Sequence, residues 1–217
     1  MPATHKNLKA RQRAERENWP EFVSVRVHRA LSWLERAERC EDDDGRFIFL
    51  WIAFNAAYAN ETGEYRIAES TRLQDFLARL VNLDDDSRLE RVVWQQFPGP
   101  IRVLLGNKYV FQPYWDHRNH LPDSADWAER FERANRAVRH ALAVRDTGKV
   151  LGIMFARLYT LRNQLIHGGA TWNSRINRDQ LRDARAIMDE LVPFVIEIMM
   201  DNAREHWGEP CYPVHND

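Results

Sequence analysis

Two residues of this chain, Arg162 and His167, have the types and spacing to move a proton and hold an anion, and they lie in the run RNQLIH that Gly168 and Gly169 close. On a helix turning about 100° per residue, Val150, Leu151, Met154, Phe155, Leu158, Leu161, Leu165 and Ile166 share one broad arc, and Arg162 falls inside it. A guanidinium keeps its charge in a protein. Its partial burial therefore demands a carboxylate, several hydrogen bonds, or an anion received from outside. His167 is expected at the helix end, because the double glycine supplies the left-handed residue that commonly stops a helix. The negative end of the helix dipole suits an imidazolium, and histidine exchanges protons near neutral pH. Asn163, one turn earlier on the same face, is placed to fix the ring and its tautomer.

Phosphoryl chemistry on RNA fits this pair. RNA carries its own nucleophile, the 2′-hydroxyl. His167 would act as general base or acid, and Arg162 would bind the scissile phosphate and stabilise charge growing on its oxygens. The products would be a 2′,3′-cyclic phosphate and a 5′-hydroxyl. Positions five apart diverge by about 140° on a straight helix, so convergence requires an unwound last turn, the length of the arginine, or two subunits.

The run resembles the R-x4-6-H pattern of the HEPN superfamily, helical domains of which many are metal-independent endoribonucleases, and Arg162, Asn163 and His167 match that pattern. A second run, WIAFNAAY from Trp51 to Tyr58, resembles the buried helix that precedes the signature helix in related domains. The resemblance implies an all-α, HEPN-like bundle and a two-fold homodimer that brings two motifs into one cleft. It further implies a toxin, defence or RNA-processing setting, with a neutralising protein partner as one possibility. A rival reading is a noncatalytic HEPN-like module that binds a nucleotide or a protein through the same arginine. A third is a helical interaction domain in which Arg162 is paired to an internal acid.

Other candidates surround this core. Asn55 is the polar residue of the apolar run Phe47 to Ala59, so burial obliges its amide to find partners, either Arg162, a phosphate, or a neighbouring helix. Tyr159 at the edge of the arc reads as a core aromatic or a substrate contact. Lys108 and Arg118 lie among Tyr109, Phe111, Tyr114 and Trp115, a mixture that suits stacking on unpaired bases or packing on the bundle. Asp116, His117 and His120 form too sparse a set to indicate a metal site, and neither metal nor cofactor is expected. Arg130, Arg133, Arg136 and Arg139 drift around a helix by about 60° per step and read as a solvated face with local ion pairs.

The elements that must position these residues are helices, since the apolar periodicity is helical nearly throughout. With 217 residues and 44% hydrophobic content the chain can fill one core, so one domain is expected over 1–217. Basic residues 31 and acidic residues 32 leave a net charge of −1, so any attraction for nucleic acid must be local. Cys40 and Cys211 suit a reducing compartment, the N-terminus has no apolar signal core, and the longest apolar run falls short of the about 20 residues of a membrane span. A cytoplasmic protein without membrane contact is expected.

Along the chain, a flexible basic arm over 1–17 leads to a helix from Pro20 to about Cys40, with Val23, Val27, Ala30, Leu31 and Leu34 inward. Next come the fully buried helix Phe47 to Ala59, a helix capped by Ser70, and one opened by Asp84 to Ser87 that ends at Pro98-Gly99-Pro100. Residues 106–123 read as a long loop insertion. Helices from Ser124 to about Val144 and from about Thr147 follow. Asn177 and Gln180 suggest a capping box for the last helix, in which Pro193 should introduce a kink.

Overall fold

The computed structural model describes residues 3–59, 66–174 and 178–210, with 66–70 described by backbone alone. It is all-α, as expected: among the described residues there are ten α-helices and no strand. They are α1 (His5–Glu15), α2 (Glu21–Glu38), α3 (Asp43–Tyr58), α4 (Arg66–Leu83), α5 (Arg88–Arg91), α6 (Pro98–Gly106), α7 (Gln112–Arg118), α8 (Trp127–Ala143), α9 (Thr147–Ile166) and α10 (Arg178–Asp201). No described helix is long and apolar enough to cross a membrane.

Helix α10 is the central post, packing against α3, α2, α1, α4 and α6. Its residues Leu191 to Ile196 are buried without interruption, which is why so many apolar side chains occur in sequence there. The helix continues on both sides of Pro193. Helix α9 packs against α4, α6, α8 and α3. An aromatic cluster joins α3 to α9: Phe54 stacks on Phe155 with centroids 4.3 Å apart, and Trp51 lies 6.1 Å from Tyr159. These pairings run in opposite chain directions, so α3 and α9 are antiparallel.

Local chemistry sets the helix ends. Asp42 accepts from the Gly45 N–H at 2.8 Å and starts α3, and Asp146 accepts from the Lys149 N–H at 2.9 Å and starts α9. The Trp94 indole donates to the Thr147 hydroxyl at 2.8 Å, fixing the first turn of α9 to the π-helical turn Val92–Gln96. At the far end of α3, the buried Arg26 donates to the carbonyls of Ala57 and Ala59, both at 2.9 Å, and to those of Gly208 and Glu209. A cation there complements the negative end of the α3 dipole.

Several expectations change. The basic arm is helical over His5–Glu15: it forms α1, in which Leu8 is a single buried apolar anchor and Arg11 bridges to Asp201 at 2.7 Å. Residues 106–123 are not an irregular loop. Pro98 and Pro113 stand at early helical positions of α6 and α7, with a 3₁₀ turn, Lys108–Val110, between those helices. Helix α4 begins at Arg66, so Ser70 lies within it and is not a cap. Helix α3 is buried along one broad face only, with Ile48, Phe49, Ile52 and Asn55 half-buried. The Asn177–Gln180 capping box lies outside the described residues.

Candidate active site at the end of α9

The apolar stripe of α9 holds Val150, Leu151, Met154, Phe155, Leu158 and Leu161 in the core, then lifts away: Leu165 is half-buried and Ile166 is 48% exposed. The Arg162 to His167 turn therefore emerges at the surface while remaining helical. The His167 N–H still donates to the Asn163 carbonyl at 3.0 Å, and the chain reverses at Gly168, whose φ of 69° is the left-handed value that favours glycine. Gly169 lies so close to the helix that a Cβ there would approach the Gln164 carbonyl oxygen to 3.2 Å. Arg178 pins the loop that follows, donating to the Ser174 carbonyl at 3.0 Å and to Asp44 at 2.7 Å.

Arg162 is half-buried and forms no ion pair among the described residues. Its Nη1 donates to the Asn163 Oδ1 at 2.9 Å, its guanidinium lies 5.9 Å from the centre of the Tyr159 ring, and its Nε is buried without a hydrogen-bond partner. The internal acid that a purely structural role called for is absent among the described residues. Asn163 thus orients the arginine, whereas the sequence suggested that it would hold the histidine. His167 is exposed, and its ring makes no hydrogen bond among the described residues.

Because the last turn stays regular, the divergence of about 140° between Arg162 and His167 persists. Gln164 shows what lies on the histidine's flank, about 60° from it around the helix: its Nε2 donates to the Tyr109 carbonyl at 2.7 Å. That contact brings Lys108, whose Nζ lies 5.2 Å from the Tyr109 ring, beside the last turn. One flank of α9 therefore carries Arg162, Tyr159 and the nearby Trp51, and the other carries Gln164, Tyr109 and Lys108, with His167 nearer the second.

Asn55 and Arg118 are not brought to this point. In the antiparallel α3 and α9 pair, Phe54 meets Phe155, so Asn55 lies roughly 10 Å along the axis from Arg162, and Trp51 takes the place beside Tyr159. Arg118 ends α7, which packs on α8 through Tyr114 and His117 against Trp127, and has no hydrogen bond or ion pair to α9. Among the described residues no group of three metal-ligating side chains occurs.

Two residues were not singled out by the sequence reading. Trp172, five positions after His167, is 74% exposed and tethered by its indole N–H to Asp42 Oδ1 at 3.3 Å. Hydrogen bonds hold the Asp42 carboxyl below its ordinary range, chiefly that from the Gly45 backbone, with Cys40 and Trp172 adding to it. Arg157 is the arginine of α9 that leaves water almost completely, at 3% exposed. Its only sequence signal is its place inside the apolar run MFARLY, the same signal that drew attention to Arg162. No family model, curated protein or solved structure matches the chain.

Proposed function

We propose that the chain is a HEPN-type, metal-independent endoribonuclease in which two copies assemble the active cleft. The observation that carries this reading is Arg162: a half-buried cation with no acid partner among the described residues, held by Asn163 and Tyr159 at the end of a rigid helix. A preformed guanidinium without a counter-ion is suited to the equatorial oxygens of a phosphodiester.

In the proposed reaction the His167 imidazole removes the proton from a ribose 2′-hydroxyl, and that oxygen attacks the adjacent phosphorus. The bond from phosphorus to the 5′-oxygen breaks, and the leaving oxygen takes a proton from the histidine of the second copy. A 2′,3′-cyclic phosphate and a 5′-hydroxyl result. Arg162 balances charge on the non-bridging oxygens throughout. Two copies answer the divergence of Arg162 and His167, since a two-fold axis can place one protomer's arginine opposite the other's histidine. Lys108, with Tyr109 beside it, would hold unpaired bases and backbone next to the cleft. A cytoplasmic toxin, defence or RNA-processing role belongs to this same reading.

The test is cleavage of single-stranded RNA by the purified chain in EDTA, with analysis of the ends. The expected result is cyclic-phosphate termini, no cutting of the 2′-deoxy substrate, and loss of cutting in Arg162→Ala and His167→Ala without change in helix content. Equal cleavage by wild type and both variants would end the assignment. The unpartnered ring of His167 favours a second reading, a noncatalytic module that binds a nucleotide, RNA or a protein through Arg162. Calorimetry that finds RNA binding abolished by Arg162→Ala, with no turnover in the parallel assay, would select it.

A further inference from the structure

Arg26 and Arg157 are both withdrawn from solvent, at 0% and 3% exposure, yet they are satisfied in opposite ways. Arg26 donates to four backbone carbonyls. Arg157 makes one long hydrogen bond, Nε to the Leu105 carbonyl at 3.3 Å, and its Nη2 is buried with no partner among the described residues. No carboxylate pairs with it among the described residues. What faces its guanidinium instead is a pair of aromatic rings, Phe111 at 4.4 Å and Phe131 at 5.8 Å. Burial lowers its pKa to about 10, which leaves it cationic at neutral pH.

The ring nearer to it belongs to a thinly anchored segment. Of residues 107–118 only Val110 is buried, and α7 buries no residue. The segment is held by the Gln164 bond to Tyr109, by Phe111 against Phe131 at 5.2 Å, and by Tyr114 and His117 against Trp127. Aromatic faces attract a cation only weakly, and they leave most of the five guanidinium donors unused. A phosphoryl group, which presents two oxygens to that fork, keeps a further one for the remaining donors and carries more charge than a carboxylate, would use most of them and neutralise the charge.

We propose that Arg157 is a covered receptor for a phosphoryl oxyanion, and that residues 107–118 are a cover that moves aside when the anion binds. This receptor uses neither Arg162 nor His167, although its cover carries the Lys108 and Tyr109 assigned to the edge of the proposed cleft, so either assignment can fail without the other.

The experiment uses the full chain with inorganic phosphate, against sodium chloride and sodium acetate at equal ionic strength, and reads thermal unfolding together with hydrogen exchange. Wild type should show a saturating rise in Tm with phosphate alone, and amide exchange across 107–118 should become faster as the cover lifts. Arg157→Met, which keeps the bulk and removes the charge, should lose the faster exchange over 107–118 and, compared in an Arg162→Ala background that silences the other arginine, the rise in Tm. Phe111→Ala should bind phosphate roughly tenfold more tightly, the equivalent of removing one cation–π contact, and it reads the same site should Arg157→Met fail to fold. Equal phosphate responses in wild type and Arg157→Met would overturn the proposal. So would stabilisation without faster exchange over 107–118, an equal effect of acetate, or indifference of both wild type and Phe111→Ala to phosphate.

Discussion

The arginines around α10 and those on α9 are treated differently. Around α10 four arginines meet acids: Arg88 meets Asp84 at 2.8 Å and Asp201 at 2.7 Å, Arg46 meets Asp189 at 2.8 Å, Arg185 bridges Asp43 and Asp189, and Arg178 meets Asp44 at 2.7 Å. On α9, Arg157 and Arg162 meet rings, an amide and a carbonyl, and each leaves a buried nitrogen without a partner. Both regions take guanidinium out of water, and both incur a desolvation cost. Among the described residues only the first recovers it through ion pairs. The contrast separates arginines that hold helices together through acids from arginines that keep a buried nitrogen without a partner among the described residues.

The sharpest break in this contrast would come from Arg162. Its replacement by alanine should lower RNA cleavage by about 10²–10³-fold, the effect of removing one charge-stabilising group from a reaction site. Urea unfolding should move by less than about 1 kcal/mol, since no ion pair is lost. A stability loss as large as that of a buried pair would place Arg162 with the α10 arginines. Arg88→Ala should do the reverse: stripping Asp84, Asp201 and Glu197 of their shared cation costs about 3 kcal/mol, since Arg88 is almost completely buried. A loss below 1 kcal/mol would show that the cluster is not the brace described here.

Acid should distinguish the regions as well. Burial alone would raise the Asp201 carboxyl, but hydrogen bonds from Arg11 and Arg88 hold it below its ordinary value of 3.8. The folded state therefore binds fewer protons than the unfolded chain, and this stability is complete above about pH 4 and is lost as pH falls through the lowered value. Glu197 runs the other way, raised by burial and by Asp201, so its protonation relieves a cost. Melting from pH 7 to pH 2 should show a drop beginning below about pH 4, shallower in Asp201→Asn. An unchanged slope in that variant would remove Asp201 from the brace.

Gly168→Ala should cost about 1 kcal/mol through its positive φ, with a larger fall in cleavage because it sets the direction of His167. Arg136→Ala, on the exposed face of α8, should shift stability by less than about 0.5 kcal/mol. Chemical denaturation and the cleavage assay measure both.

The helices were legible wherever apolar spacing was regular and long. The inner face of α2 and the stripe of α9 follow from periodicity, and the end of α9 follows from Gly168, because each depends on residues within one or two turns. Helices α1 and α7 were hidden, since a helix anchored by one buried leucine, or by aromatics that pack on a neighbour, carries little periodic signal of its own. At the site, an arginine within an apolar arc could be found from spacing, but Arg157 and Arg162 share that feature. Asn163 and Tyr159 are neighbours of Arg162 on α9 itself, but the covering of Arg157 by Phe111 and Phe131 depends on segments 46 and 26 residues away in the chain.

What the sequence by itself determined is therefore local: an all-helical chain, the stop at Gly168, and an arginine and histidine five apart with no acid nearby in sequence. The tertiary structure alone decided which cations acquire counter-ions, that Asn55 stands away from Arg162, and that residues 107–118 cover Arg157. The physical reason is range. Helix periodicity and end signals act over a few residues, whereas the satisfaction of a buried charge is settled by whatever distant segments the packing of the core brings to it.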